Sequence, residues 1–363
     1  MENLITDLHI KNFKSIKDLE ITTKRINLFI GKPNVGKSNI LEALSLFCAA
    51  NGRGSHNLTD FIRFDIPNHL FYDHDREKLI EVITNIGSAF LWYFSNNERY
   101  RLLLTPGING KEAIETDQIM DHVDSNTLSL KQRAEAQSKI QIFASQLGEK
   151  GMLSPEYSTQ TIPNPIIKKF TFNSSRSFGK DSYNGHLLPA FGNNLFSVLQ
   201  QNKSLLDEVA PLFQQYGLSL GYQAEDKTYA IVKFVNGVLH FYPFSQIADT
   251  LQRIIFYYTA IESNKNSVLL FEEPETNSYP PYIQALAEKI MDSKSNQFFL
   301  TTHNPYLLSK IVENTPFDEL ALFVTSYKDY QTTARALNQD EIQELLEYGF
   351  DIFLNLDKYI SEA

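Results

Sequence analysis

The stretch "INLFIGKPNVGKSNILEAL", Ile26–Leu44, decides how the rest of the chain is read. Its opening residues, apart from Asn27, are apolar and suit a short buried strand. Gly31, Gly36, Lys37 and Ser38 then fit the spacing G-x-x-x-x-G-K-[ST]. After them Ile40, Leu41, Leu44 and Phe47 or Cys48 fall on one side of a helix. Strand, glycine loop and helix in that order make a phosphate cradle. The glycines let backbone N–H groups turn inward around phosphate oxygens, and the helix N-terminus adds partial positive charge. Lys37 is placed to reach β- and γ-phosphates, and the Ser38 hydroxyl to ligate Mg²⁺. The expected nucleotide contacts are Gly31, Asn34, Val35, Gly36, Lys37, Ser38 and Asn39, with ATP and Mg²⁺ as cofactors.

A phosphate loop of this kind needs a second metal carboxylate at the end of a neighbouring parallel strand. "VLLFEEPE", Val268–Glu275, supplies one: an apolar run ends in adjacent glutamates. Glu272 fits the metal position. Glu273, one residue on, fits the general base that orients or deprotonates the attacking water. Further along, "FFLTTHNPYLLS" ends another apolar run in Thr301, Thr302 and His303, and the histidine is placed to sense the γ-phosphate.

The whole chain agrees with a globular enzyme. Its 363 residues allow one large domain or two medium ones. The formal net charge of −10 argues against a surface coated for nucleic acid, although a local basic groove would survive it. One cysteine, Cys48, excludes an internal disulfide framework and a zinc knuckle, and its place on the apolar face of the first helix makes it a core residue. No apolar run approaches membrane-spanning length, and the first residues lack a signal-peptide core. The expected compartment is the cytoplasm, with no membrane partner.

Strand-like runs open the chain at "NLITDLHI", "IKDLEIT" and "INLFI". Residues 78–105 read as a strand meander turning at "SNNE". Residues 128–150, Ala- and Gln-rich, read as a polar helix, and 151–165, rich in Pro, Ser and Thr, as a loop. "IIKKFTF" is a strand, and residues 194–217 form one or two helices. From Ser267 onward, strands alternate with helices, which implies a parallel sheet with helical crossovers. "YDHDRE", Tyr72–Glu77, carries metal-capable side chains without ligand spacing and reads as a solvated loop.

Together these motifs resemble the ABC-type ATPase heads, in the branch shared by SMC-like, RecF-like and OLD-family proteins. "LHIKNFKSIKDLEI" carries the family's lead-in as Asn12, Phe13, Lys14 and Ser15. The phosphate loop, "VLLFEEPETNSYPP" and "FLTTHNPYLLS" carry the rest, and "LPAFGNNLFSVLQ" also looks like a family element. The resemblance implies an α/β P-loop NTPase fold: a mixed and parallel sheet flanked by helices, plus an inserted helical and antiparallel region. It divides the chain into 1–50, holding the phosphate loop, 51–165, a variable insertion, and 166–363, holding the remaining motifs. It adds Lys14 to the nucleotide contacts. It also places a signature segment in "YPFSQIADTLQRIIFYYTAIESNKN", where Ser245 would cap a helix and meet the γ-phosphate bound by a partner subunit. The active unit implied is a homodimer, or a higher even oligomer, with ATP at head-to-tail interfaces.

Departures from the family pattern are Glu272 where Asp is usual, the missing signature glycines after Ser245, and no clear Q-loop, for which Arg176 is the candidate. Heptad coiled coils are absent, and the residues after His303 alternate strand and helix rather than suggesting a Toprim nuclease. The implied protein is a stand-alone, slowly hydrolysing ATPase of the kind found in bacterial anti-phage defence, acting as sensor or motor with a separate nuclease or toxin as effector. The alternatives are a RecF-like repair ATPase with nucleic acid as partner, and an ATP-dependent scaffold with little turnover.

Overall fold

The computed structural model describes residues 4–50, 57–95, 98–106, 143–158, 166–176, 178, 181–183, 185–348 and 353–360. The chain begins with β1 (Asp7–Phe13), β2 (Ile16–Thr22) and β3 (Ile26–Ile30), then α1 (Lys37–Leu44). Next come β4 (Ile80–Thr84), β5 (Gly87–Phe94), β6 (Arg99–Pro106), β7 (Phe143–Leu147), β8 (Leu153–Ser158) and β9 (Ile167–Phe170). Helices α2 (Leu195–Gln201) and α3 (Lys203–Gln214) precede a meander of β10 (Ser219–Gln223), β11 (Thr228–Val235) and β12 (Val238–Pro243). The final stretch runs α4 (Asp249–Ser263), β13 (Val268–Glu272), α5 (Pro280–Asp292), β14 (Gln297–Thr301), α6 (Pro305–Asn314), β15 (Leu320–Lys328), β16 (Gln331–Ala336), α7 (Gln339–Glu347) and α8 (Asp357–Ile360).

Six strands form the sheet that carries the site, in the order β16-β15-β3-β14-β13-β9. Every pair in it is parallel except β15 with β16. Its central strands are buried on both faces, as continuous apolar runs in parallel sheets are. Successive side chains alternate between two cores. Ile26, Leu28, Phe271 and Phe298 face the layer of α2 to α6. Phe29, Leu270 and Phe299 face α1 and a second sheet, order β2-β1-β4-β5-β6-β7-β8. The phosphate-loop helix is thus clamped between two sheets, with Ile40, Leu41, Leu44 and Cys48 buried there. The carboxyl ends of β3, β13 and β14 share one edge of the first sheet, the place where open α/β sheets bind ligands.

The structure corrects several expectations. Residues 143–147, expected within a helix, form β7, and 153–158, expected within a loop, form β8. Pairing to β6 decides this: Phe143 and Leu147 enter the core between the sheets, and tertiary pairing overrides the Ala- and Gln-rich composition. Residues 128–142 and 159–165 of those expectations lie outside the described residues. The first helix ends at Leu44 and continues as a 3₁₀ turn over Ser45–Ala50. β4 pairs with β1, so the described part of 51–165 extends the N-terminal sheet. The β10–β12 meander and the hairpin strand β16 had no counterpart in the sequence reading. "LPAFGNNLFSVLQ" is a structural hub: buried Asn194 donates to the carbonyls of Tyr183 and His186 and accepts from the Leu188 N–H.

Candidate active site

The phosphate loop is braced before its helix begins. Gly36 is the N-cap of α1 at φ 94°, a left-handed conformation that side chains resist, and a Cβ there would lie 1.9 Å from Thr332 Oγ1. Thr332, on β16, donates its hydroxyl to the Val35 carbonyl at 2.9 Å and its N–H to the Ser15 carbonyl at 2.7 Å. Asn39 Nδ2 donates to Ser15 Oγ at 2.6 Å. Lys37 Nζ folds onto the loop, donating to the carbonyls of Gly31 at 3.0 Å and Lys32 at 2.7 Å. Burial pulls its amine down to about 8, with Glu273 opposing.

The loop borders a cavity of about 560 Å³ whose walls include Asn34, Gly36, Lys37, Ser38 and Asn39. Glu272, Glu273 and His303 line it as well. His303 Nε2 lies 3.6 Å from Glu273 Oε1. Burial and then Lys37 push the His303 imidazole below its ordinary value, favouring the neutral ring, while Glu273 opposes them. Glu273 sits at φ 43° with its N–H on the Thr301 carbonyl, so the turn after β13 aims it away from the strand axis and into the cavity.

Glu272 is bound differently. Its Oε1 accepts from Arg63 Nη2 at 2.7 Å, and its Oε2 lies 3.3 Å from Lys169 Nζ. Burial pushes its carboxyl up, but Lys169, the Ser38 hydroxyl and Arg63 outweigh burial and hold it below the usual range. An ionised carboxylate bonded to the phosphate-loop hydroxyl is the donor pair that a magnesium ion bound to nucleotide requires. Arg63 also reaches buried Glu42, Nε to Oε1 at 2.9 Å, and Lys14 pairs with the other oxygen of Glu42. Burial, with partial relief from Glu42, lowers the Lys14 amine.

The expected residues therefore divide. Asn34, Gly36, Lys37, Ser38, Asn39, Glu272, Glu273 and His303 share one cavity. Gly31 and Val35 are not on its walls; they shape the loop from behind. Lys14 is also off those walls, because its amine is held by Glu42 and the Arg63 carbonyl. Ser245 is exposed in a 3₁₀ turn, Phe244–Gln246, and does not cap α4, which starts at Asp249 behind Ala248. Arg176 stacks on Phe191 at 3.7 Å, and Thr171 and Phe172 hold the wall after β9 instead. Sequence reasoning missed Arg63, Lys169, Arg253 and Thr332. The only local signal was two lysines in the buried strand "IIKKF". Arg253 reaches the cavity from α4, its guanidinium 4.8 Å from the Phe172 ring.

A second cavity of about 550 Å³ shares Ser15 and Arg63 with the first. Phe71, Tyr72, Tyr327 and Tyr330 give it aromatic walls, and Tyr72 Oη donates to the Tyr330 carbonyl at 3.0 Å. "YDHDRE" thus contributes to a cavity wall and is more than a solvated loop. Asp73, His74, Asp329 and Tyr330 around it all have positive φ.

Glycine loop, paired carboxylates and strand-end histidine on one sheet edge define a P-loop ATPase head of the ABC, SMC-like type. The chain belongs to the family described as "AAA domain, putative AbiEii toxin, Type IV TA system", whose model matches residues 26–309. It is similar to an "ATP/GTP phosphatase" of Helicobacter pylori, 20% identical over 97% of this chain and 100% of that one. It is also similar to "Endonuclease GajA" of Bacillus cereus, 23% identical over 85% of this chain and 57% of that one. The chain thus spans about half of GajA, and other matches span 22% and 18% of their relatives. Among solved structures, an SMC head bound to the C-terminal winged-helix domain of ScpA superposes with a TM-score of 0.48 at 13% identity, covering 93% of this chain and 99% of that one.

Proposed function

We propose that the chain binds Mg–ATP in the 560 Å³ cavity and hydrolyses it slowly, as the sensor or motor ATPase of a defence system with a separate nuclease or toxin effector. The observation that carries the ATPase reading is the convergence of Lys37, Ser38, Glu272, Glu273 and His303 on one cavity. Ser38 and Glu272 would hold magnesium, which would neutralise charge on the phosphate oxygens. Lys37 turns from its own loop carbonyls to the β- and γ-phosphates. Glu273 takes a proton as water oxygen bonds to the γ-phosphorus and the bond to the ADP oxygen breaks, and His303 contacts the transferring group.

The aromatic cavity beyond Ser15 suits the nucleoside end, since planar bases stack on tyrosine. Ser245, outside its own cavity and exposed, is assigned to a partner's phosphate in a head-to-tail homodimer. The family description as a putative toxin of a toxin–antitoxin system and the endonuclease relative support the defence role. No helix among the described residues is long and apolar enough to cross a membrane, and the proposed compartment is the cytoplasm.

The test is phosphate release from Mg–ATP by wild type and Glu273→Gln, with bound nucleotide measured in parallel. The glutamine keeps the shape but accepts no proton, so turnover should fall about 100-fold or more while ATP stays bound. Equal turnover in the two proteins, or failure of both to retain ATP, overturns the reading.

A further inference from the structure

Glu275 is the third carboxylate of "EEPE", and the scheme above gives it no task. It is 4% exposed. The turn that contains it is tight: the Thr276 N–H donates to the Glu273 carbonyl at 3.1 Å, and the Ser278 N–H to the Glu275 carbonyl at 2.9 Å. This turn folds the Glu275 side chain back onto the end of β14. There Oε1 accepts the Thr302 hydroxyl at 2.5 Å, and the backbone N–H groups of His303 and of Glu275 itself donate to the same carboxyl. Thr302 Oγ1 in turn accepts the Asn304 N–H at 3.0 Å. The carboxyl therefore ties two separate turns together, one carrying Glu273 and the other carrying His303.

We propose that Glu275 is a positioning residue for ATP hydrolysis: through Thr302 it fixes the Glu273 turn against the His303 turn, setting the 3.6 Å approach of base and histidine. The bridge adds to the Glu273 N–H bond with Thr301 Oγ1 at 3.2 Å, which holds the start of the same turn against the end of β14. Oε2 is buried and, among the described residues, has no hydrogen-bond partner. Burial pushes the carboxyl up to about 7 against the Thr302 and backbone bonds, so a neutral side chain of the same shape suits the place. Glu273 in the same turn, His303 on the facing turn and Tyr257 on α4 are the titratable groups around it.

The inference rests on the ATPase reading, so wild-type turnover is measured first; its absence counts against that reading and not against the bridge. Glu275→Ala and Thr302→Val should each lower kcat about 10-fold and leave KM for ATP within about twofold, because phosphate-loop contacts are untouched. The double variant should lose about as much as either single one, since both cut one bridge. Glu275→Gln, which keeps an acceptor for Thr302 and His303, should recover to within about threefold of wild type. If Glu275→Ala does not fold, Thr302→Val and Glu275→Gln decide alone. Unchanged kcat in Thr302→Val, multiplied losses in the double variant, or Glu275→Gln no better than Glu275→Ala overturns the proposal.

Discussion

The phosphate loop and the Ser245 turn, both of which we assign to the γ-phosphate, stand in opposite states. The loop is tied to β16 by Thr332, to the β1–β2 turn through Ser15 and Asn39, and to itself by Lys37. The Ser245 turn is exposed, lies off the cavity walls and carries no cap for the helix behind it. One region is braced through several side chains; the other is held from α4 by Gln252, which donates to the Ser245 and Ile247 carbonyls, and leaves Ser245 exposed. In the proposed head-to-tail arrangement, a second copy would bring its bound γ-phosphate to that exposed turn.

The comparison breaks most easily at the braced side. Lys37→Ala removes a charged donor already aimed at the loop, and ATP affinity should fall about 100-fold, measured by calorimetry. A loss under about threefold would mean the phosphates sit elsewhere. A smaller effect sharpens the role of Glu272. Arg63 occupies its carboxylate from a side chain that is 69% exposed, so the pair is worth at most about 1 kcal/mol. Arg63→Ala should therefore lower the Mg²⁺ concentration for half-maximal turnover by about threefold. A rise in that concentration would make Arg63 a phosphate ligand and not a competitor of the metal.

How much of this was legible follows from the distance along the chain over which each feature is built. Ile26 to Leu44 is a local motif, and its strand, loop and helix could be read directly. Glu272, Glu273 and His303 end apolar runs, and their side chains needed only a parallel sheet to bring them together. Arg63 meets Glu272 across 209 residues, and Thr332 braces Val35 across 297, so no spacing announces either. Ser245 misled because serine ahead of an apolar helix is the usual cap signal. The chain instead makes a 3₁₀ turn, the Ile247 N–H donating to the Phe244 carbonyl, and begins α4 with Asp249 in its first turn. The helix expected over 128–150 failed at its end because β6 offered Phe143–Leu147 a pairing edge and a core to fill.

The claim that a second copy brings its γ-phosphate to the Ser245 turn has one direct test, sedimentation of the Glu273→Gln protein with and without Mg–ATP. Blocked turnover should hold the nucleotide in place, and the mass should double when ATP is added. Adding Ser245→Glu to that protein sets a carboxylate against the partner's γ-phosphate, and the doubling should disappear while ATP binding to each chain persists. An identical mass with and without ATP, in a protein shown to hold ATP, would contradict the account, and so would ATP-driven doubling that Ser245→Glu leaves intact.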